Sequence, residues 1–453
     1  MKLETNNKTK FDAQHVTMTT KPIEQLLVSL SIPTIMSMMI TTIYNIADTA
    51  FVGTLGTSQS GATGVVGGYM AILQAIAFMC GQGSGSIMSR KLGAKEKSEA
   101  EKFASTGLLM SFSLAFILAV FSFIFMNPLV KLLGATETIA PYAKIYVTWV
   151  MISAPFFSSS LTINNLLRYE GKAKLGTVAL MSGGILNIIG DALLICVFKL
   201  GIAGAGISTA VSQTIAFIII TSMYFRGHTN VKLSFAYISR NLRDYVEIAS
   251  TGFPSLLRQG LNSTATMMLN RGAAFYGDEA VAAMSIVGRL SFFPMAMAVG
   301  IGQGFQPISA FNYGAGFKNR VIEAFKKAII GSTLVLFIAS VPMYIFAPQL
   351  VGLLRDDPAV IVIGTRALRL MCVAQLFVPL TMMVEMGFQS NGKKKLASIS
   401  SSLRSGLVFI PMLLIMPRIR GLAGIQEAQP ISIIITFIIC IYFLRIYIKM
   451  LKS

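Results

Sequence analysis

Long apolar runs separated by short polar segments account for most of the chain. They predict twelve spans, near 25–51, 62–89, 104–126, 140–165, 175–198, 202–225, 246–270, 280–311, 325–347, 360–388, 396–416 and 424–448. None alternates with the two-residue period of a barrel strand, and backbone in lipid has to satisfy its own hydrogen bonds, so each run is expected to be a helix. About 20 residues cross the hydrocarbon layer as a helix. Several runs are longer, which allows tilt. Residues 1–22 are polar and lack the short apolar core of a signal peptide, so 1–24 reads as a cytoplasmic tail.

Composition agrees with this pattern. The chain has 453 residues, of which 54% are hydrophobic and 13% charged; a water-facing protein carries about 25% charged residues. A soluble enzyme, a disordered chain and a disulfide-stapled secreted domain are excluded. The net charge of +19 could suggest nucleic acid as a partner, but a nucleic-acid binder needs far more polar surface. Sorted by loop, the charge gains another meaning. The N-terminal tail, the loops after spans 2, 4, 6, 8 and 10, and the C-terminus hold 26 of the 38 basic residues. By the positive-inside rule both termini are cytoplasmic, which requires an even number of spans. Cys80, Cys196, Cys372 and Cys440 lie far apart in apolar runs and read as space-filling thiols. With only His15 and His228 available, no metal cluster or histidine-dependent triad can be assembled.

The halves repeat. A shift of 221 residues places Pro33 on Pro254, Gly56 on Gly277, Gly81-Gln82-Gly83 on Gly302-Gln303-Gly304, Gly93-Ala94 on Gly314-Ala315, and Gly171-Lys172 on Gly392-Lys393. Two six-helix lobes are expected, 25–225 and 246–453, joined by a cytoplasmic linker at 226–245. Six spans is an even number, so the repeats are parallel, a transporter design with substrate handled at the repeat interface. Gly387-x4-Gly392-Lys393 spells part of a phosphate-binding loop, but it follows a membrane helix and has Lys394 where Ser or Thr is needed. No nucleotide site is expected, so any transport would be driven by an ion gradient or run downhill, unless a partner subunit supplies ATP.

Charges inside spans are costly and point to function. Of the acidic residues, Asp48, Asp191 and Glu385 lie within spans. Asn187 sits one turn before Asp191 on the same helix face, and Thr209 lies on the next span. Asp48, Asn187, Asp191 and Thr209 form a candidate cluster able to take up H⁺ or to hold a dehydrated Na⁺ on Asp48, Asn187 and Asp191. Glu385 is a candidate partner for Arg258, Arg404 or Arg289 in a buried ion pair. Pro33 and Pro254 allow bends at equivalent points. A substrate cavity is expected to use Tyr44, Asn45, Met39 and Asn164 in the first repeat, and Asn262, Gln303, Gln306 and Glu385 in the second.

Tyr44-Asn45-Ile46-Ala47-Asp48-Thr49-Ala50-Phe51-Val52-Gly53, Leu186-Asn187-Ile188-Ile189-Gly190-Asp191 and Gly302-Gln303-Gly304-Phe305-Gln306-Pro307 resemble segments of the MATE family of multidrug and toxic compound extrusion transporters. With Phe311-Asn312-Tyr313-Gly314-Ala315, Arg258-Gln259-Gly260 and Gln429-Pro430, they resemble its MepA-like branch of bacterial exporters. The resemblance covers the chain from about residue 22. It implies an all-α polytopic fold of twelve transmembrane helices in two pseudo-symmetric six-helix bundles arranged as a V. It further implies alternating access and antiport, with H⁺ or Na⁺ entering as a lipophilic cationic drug or dye leaves, without cofactor, nucleotide or nucleic acid. A bacterial plasma membrane and a functional monomer are expected. The family's N-lobe cation site maps onto Asp48, Asn187, Asp191 and Thr209. The C-lobe carboxylates of another branch fall on Asn262 and Leu380, so coupling of that type is not expected. The rivals are a flippase for lipid-linked oligosaccharides, which Arg258, Arg289 and Arg404 would suit, and an intramembrane enzyme built on Asp48 and Asp191.

Overall fold

A computed structural model describes residues 2–452, which are helical apart from short connections. Each predicted span is a helical passage. The first repeat contains α2 (Ile23–Gly53), α3 (Thr57–Gly93), α4 (Lys97–Ile124), the short α5 (Met126–Leu132), α6 (Ala140–Tyr169), α7 (Ala173–Asp191) and α8 (Gly201–Phe225). The second contains α9 (Leu242–Ala274), α10 (Asp278–Gly314), α11 (Lys318–Ile345), the short α12 (Ala347–Leu354), α13 (Pro358–Ala374), α14 (Val378–Ser390), α15 (Lys394–Ser402), α16 (Phe409–Arg420) and α17 (Leu422–Lys452). The polar N-terminus also contains a helix, α1 (Lys2–Thr20), for which its sequence gave no apolar signal.

Helix ends and interruptions follow local chemistry. Asp357 caps α13, its Oδ1 accepting the Ala359 N–H at 2.9 Å, and Pro358 occupies the first turn, where a missing N–H costs nothing. The tenth passage breaks into α13 and α14 at a tight turn, Gln375–Phe377, just before Pro379. Gly56 and Gly277 precede α3 and α10 with φ of 130° and 102°, and Gly171 and Gly392 turn the chain into the fifth passages with φ of 85° and 76°. Only glycine adopts such angles without strain. The repeat thus extends to backbone conformation.

Eleven of the passages contain an 18-residue stretch apolar enough to cross a membrane; α9 does not. Helix surfaces elsewhere expose large apolar side chains, Phe116, Ile117 and Phe121 on α4 and Leu334, Phe337 and Ile338 on α11, as lipid-facing helices do. Contacts between helices rest on small residues, which let backbones approach. A Cβ on Gly183 would strike Ala216 of α8, and one on Gly206 would strike Trp149 of α6.

Packing divides the chain into two units that cross the sequence repeat in two places. One unit joins the N-terminal residues to Thr19 with Met36–Gly252; the other joins Thr20–Ile35 with the chain from Phe253 onward. The exchanges fall beside Pro33 and Pro254, the equivalent prolines of α2 and α9. In the first unit, Gly83 of α3 lies against Ile248 and Gly252 at the start of α9. In the second, Gly304 of α10 lies against Ser31 at the start of α2. The shift of 221 residues relates Gly83 to Gly304 and Ser31 to Gly252, so the exchange is itself pseudo-symmetric.

The linker and α1 pack against one end of the first unit. Ser239 N–H bonds Thr106 Oγ1 at 2.9 Å, Lys232 N–H bonds Glu101 Oε1 at 3.1 Å, and Lys102 meets Asp244 at 3.2 Å. Glu170, with its side chain wholly buried, accepts the Asn230 N–H at 2.5 Å and pairs with Lys172 at 3.2 Å. Gln14 of α1 donates to the Glu170 carbonyl and accepts from the Asn230 side chain.

Candidate functional site

Four helices of the first unit bring one polar cluster together in an otherwise apolar bundle. Asp48 lies near the end of α2, and Asp191 is the last residue of α7. Just beyond Asp191 the backbone widens into a π-turn, Ala192–Val197, where the Phe198 N–H reaches back five residues to the Leu193 carbonyl at 2.9 Å. Such turns occur often at functional sites because they re-aim the side chains beside them. Asn187 comes one turn before Asp191, α8 contributes Ser208 and Thr209, and α6 contributes Tyr146.

The Tyr146 hydroxyl donates to Asp48 Oδ2 at 3.1 Å and stands 3.3 Å from Thr209 Oγ1. Asn187 Nδ2 lies 3.3 Å from Ser208 Oγ and 3.4 Å from Thr209 Oγ1, and Ser208 Oγ donates to the Asn187 carbonyl at 2.9 Å. Asp191 is fully buried. Its carboxyl group neighbours Asp48 and the Ser208 hydroxyl without reaching hydrogen-bond geometry, so both its oxygens and Asp48 Oδ1 are buried without a partner. Two adjacent carboxylates with little access to water repel each other, and among the described residues no Lys or Arg side chain joins the cluster. A cation between them would relieve both. The donors are all oxygens from carboxylate, hydroxyl and amide groups, a hard set suited to a proton or an alkali ion. Among the described residues no three His, Cys, Asp or Glu side chains group as they would around a transition metal.

Asp48, Asn187, Asp191 and Thr209 therefore meet as one site. Tyr146 and Ser208 join them unannounced, since a tyrosine and a serine in apolar runs give no sequence signal. Tyr44 of the proposed cavity set packs on Gly184 and neighbours Gln213 and Asp48. Asn45 is exposed, Met39 half-buried, and Asn164 lies against Gly176.

In the second unit, Arg258 Nη1 meets Glu385 Oε1 at 2.8 Å and Arg404 Nη2 meets Oε2 at 3.3 Å. Arg289 is not part of this bridge. Asn262 is exposed and Gln303 is buried. Gln306 is wholly buried, giving its amide to Gln389 Oε1 at 3.1 Å, while Gln389 donates to Ser255 Oγ at 2.8 Å. That chain of side chains ties α10, α14 and α9 together. The Pro254 carbonyl, within α9, accepts from Ser401 Oγ at 2.7 Å. Cys80, Cys372 and Cys440 are buried, whereas Cys196, on the π-turn, is exposed.

Comparison with known proteins places this geometry in context. Residues 33–193 and 254–415 each match the MatE family model. The multidrug export protein MepA of Staphylococcus saprophyticus is 27% identical over 396 residues, covering 87% of both chains. MepA of Staphylococcus aureus is 26% identical over 405 residues, covering 89% of each. Among solved structures, a MATE crystallised with MaL6 superposes with a TM-score of 0.91 at 25% identity, over 96% of this chain and 99% of the other. A MOP superfamily transporter from Pyrococcus furiosus, whose binding pocket is described as having reverse polarity, gives 0.89 at 25% identity, over 97% and 98%.

Proposed function

The chain belongs to the MatE family, with both halves matching its model, and on that premise we propose that it is a multidrug efflux antiporter of a bacterial plasma membrane. It exports lipophilic organic compounds, cations among them, in exchange for H⁺ or Na⁺ by alternating access. The export proteins named MepA, which align along most of the chain, support the substrate class. The pairing of buried Asp191 with half-buried Asp48, whose Oδ1 is shielded and unpartnered, supports ion coupling and is the observation that carries the reading.

The chemistry runs on charge. With both carboxylates ionised, the cluster favours a positive group. An entering proton or Na⁺ neutralises part of that charge, with Tyr146, Asn187 and Thr209 holding the acids in register. The entering ion and the leaving drug thereby affect each other's affinity reciprocally. The π-turn after Asp191 and the proline within α2, Pro33, are where α7 and α2 can change course as the charge changes.

The test is gradient-driven efflux of a cationic dye from proteoliposomes, under an imposed H⁺ gradient and then a Na⁺ gradient. Asp48→Asn and Asp191→Asn are each expected to reduce efflux to the level of protein-free vesicles. Full efflux by both variants would defeat the assignment.

A further inference from the structure

One helix stands apart in the second unit. Along α9, Gln259, Asn262, Ser263, Thr266 and Asn270 recur at the spacing that puts side chains on one helix face. Asn262, Ser263, Thr266 and Asn270 are exposed and Gln259 is half-buried. This stripe is why α9 falls short of the hydropathy of the other passages. A face so polar at membrane depth is wetted, because lipid would leave its amides and hydroxyls without partners.

Arg258 sits at the edge of that stripe, in mid-helix. Glu385 lies behind it, wholly buried, with the Arg258 and Arg404 side chains 12% and 17% exposed. The anion is thus fully shielded, and the two cations are the members of the triad that retain access to the surface. Two guanidinium groups share this one carboxylate, so the triad itself holds two positive charges to one negative. The backbone is shaped to bring Arg404 there, since it lies inside a π-turn, Leu403–Leu407, with the Val408 N–H bonded to the Leu403 carbonyl at 3.3 Å. Its Nε is buried with no acceptor. Guanidinium is the group best matched to a carboxylate, which it grips with two parallel hydrogen bonds.

We infer that Arg258 and Arg404, held by Glu385, form a binding site for the anionic group of a transported molecule, a lipophilic carboxylate whose polar substituents run along the α9 stripe. This rests on the export reading and names a substrate class for it. Glu385 acts as a positioning residue, keeping two like charges side by side without contacting the ligand.

The experiment uses a matched probe pair, a xanthene dye with a free benzoate carboxylate and its ethyl ester. Equilibrium binding to the purified full-length chain is read by fluorescence anisotropy, and efflux is measured in proteoliposomes. Arg258→Gln and Arg404→Gln are expected to weaken binding of the acid about tenfold or more, the scale of one charge-assisted hydrogen bond, and to leave the ester unchanged. Arg404→Lys should fall between them, keeping charge but losing the fork. Equal loss of both dyes, or loss of neither, would overturn the site. So would a wild-type chain that binds the acid tenfold more weakly than the ester, a readout that does not depend on any variant folding. Efflux of the ester by the wild type tests the export reading separately, so the two can fail independently.

Discussion

Displaced by 221 residues, Asp48 falls on Leu269, Tyr146 on Ala367 and Asp191 on Met412, so the acidic cluster of the first repeat has an apolar image in the second. In the other direction, Arg258 falls on Ser37, Glu385 on Asn164 and Arg404 on Gly183, and the basic site has a neutral image in the first. One scaffold, used twice, therefore carries surplus negative charge in one copy and surplus positive charge in the other. Buried charge is expensive in either sense. The same backbone tolerates both because each sits beside a π-turn, one after Asp191 and one around Arg404, placed at different points of the fifth passage of each repeat. Pseudo-symmetry governs the frame; the chemistry is specific to each copy.

Removing one charge from each site should break the two copies differently. Glu385→Gln strips the counter-charge from two arginines and is expected to cost about 3–5 kcal/mol, as when one member of a buried ion pair is deleted. Asp191→Asn, which breaks no pair, should leave stability unchanged or higher. Denaturant unfolding in micelles separates them, and equal losses would erase the distinction. Replacing all three members together, as Arg258→Met, Glu385→Leu and Arg404→Leu, should recover most of the loss.

A finer probe is Tyr146→Phe. It removes the one hydroxyl that donates to Asp48, while the equivalent position in the second repeat, Ala367, has no polar group to lose. Coupled efflux should slow by about tenfold or more, the worth of one hydrogen bond to a charged group, with thermal stability retained. Unchanged efflux would remove Tyr146 from the site.

The smallest effect is expected outside the membrane. Glu170 corresponds to neutral Asn391, whose amide donates to Tyr447 at 3.0 Å. Burial pushes the Glu170 carboxyl above its ordinary 4.5, with Lys172 opposing. The folded chain therefore holds this proton more firmly than the unfolded chain, and stability falls as pH rises through 4.5 toward the raised value. Glu170→Gln should flatten that slope by about 1 kcal/mol or less. Parallel unfolding curves for wild type and variant between pH 4 and 7 would refute it.

Much of this was legible in sequence, for physical reasons. Lipid requires continuous apolar helices, so eleven of the passages stand out as runs; the twelfth, α9, is weaker because Gln259, Asn262 and Thr266 interrupt it. Charges within spans must meet partners or water, which made Asp48, Asp191, Glu385 and Arg258 conspicuous. Tyr146 and Ser208 were not, because a hydroxyl in an apolar run is cheap and common. Gln306 looked like a cavity residue for the same reason that it serves as a buried tie: an amide fits either role, and only its contact with Gln389 separates them. The exchange at Pro33 and Pro254 had no sequence signature, since a repeat records which segments are equivalent and not which of them touch.

That exchange bears on how the protein is made. Thr20–Ile35 leaves the ribosome early, yet its partners on α10, Gly300 and Gly304, emerge well over two hundred residues later. The first bundle in turn lacks Ile248 and Gly252 until the linker has been synthesised. Insertion can proceed span by span, but tertiary closure of either bundle waits for the other's chain. Biogenesis is thereby committed to the whole polypeptide, and a truncated nascent chain exposes an unfilled helix seam in each half that quality-control proteases can recognise.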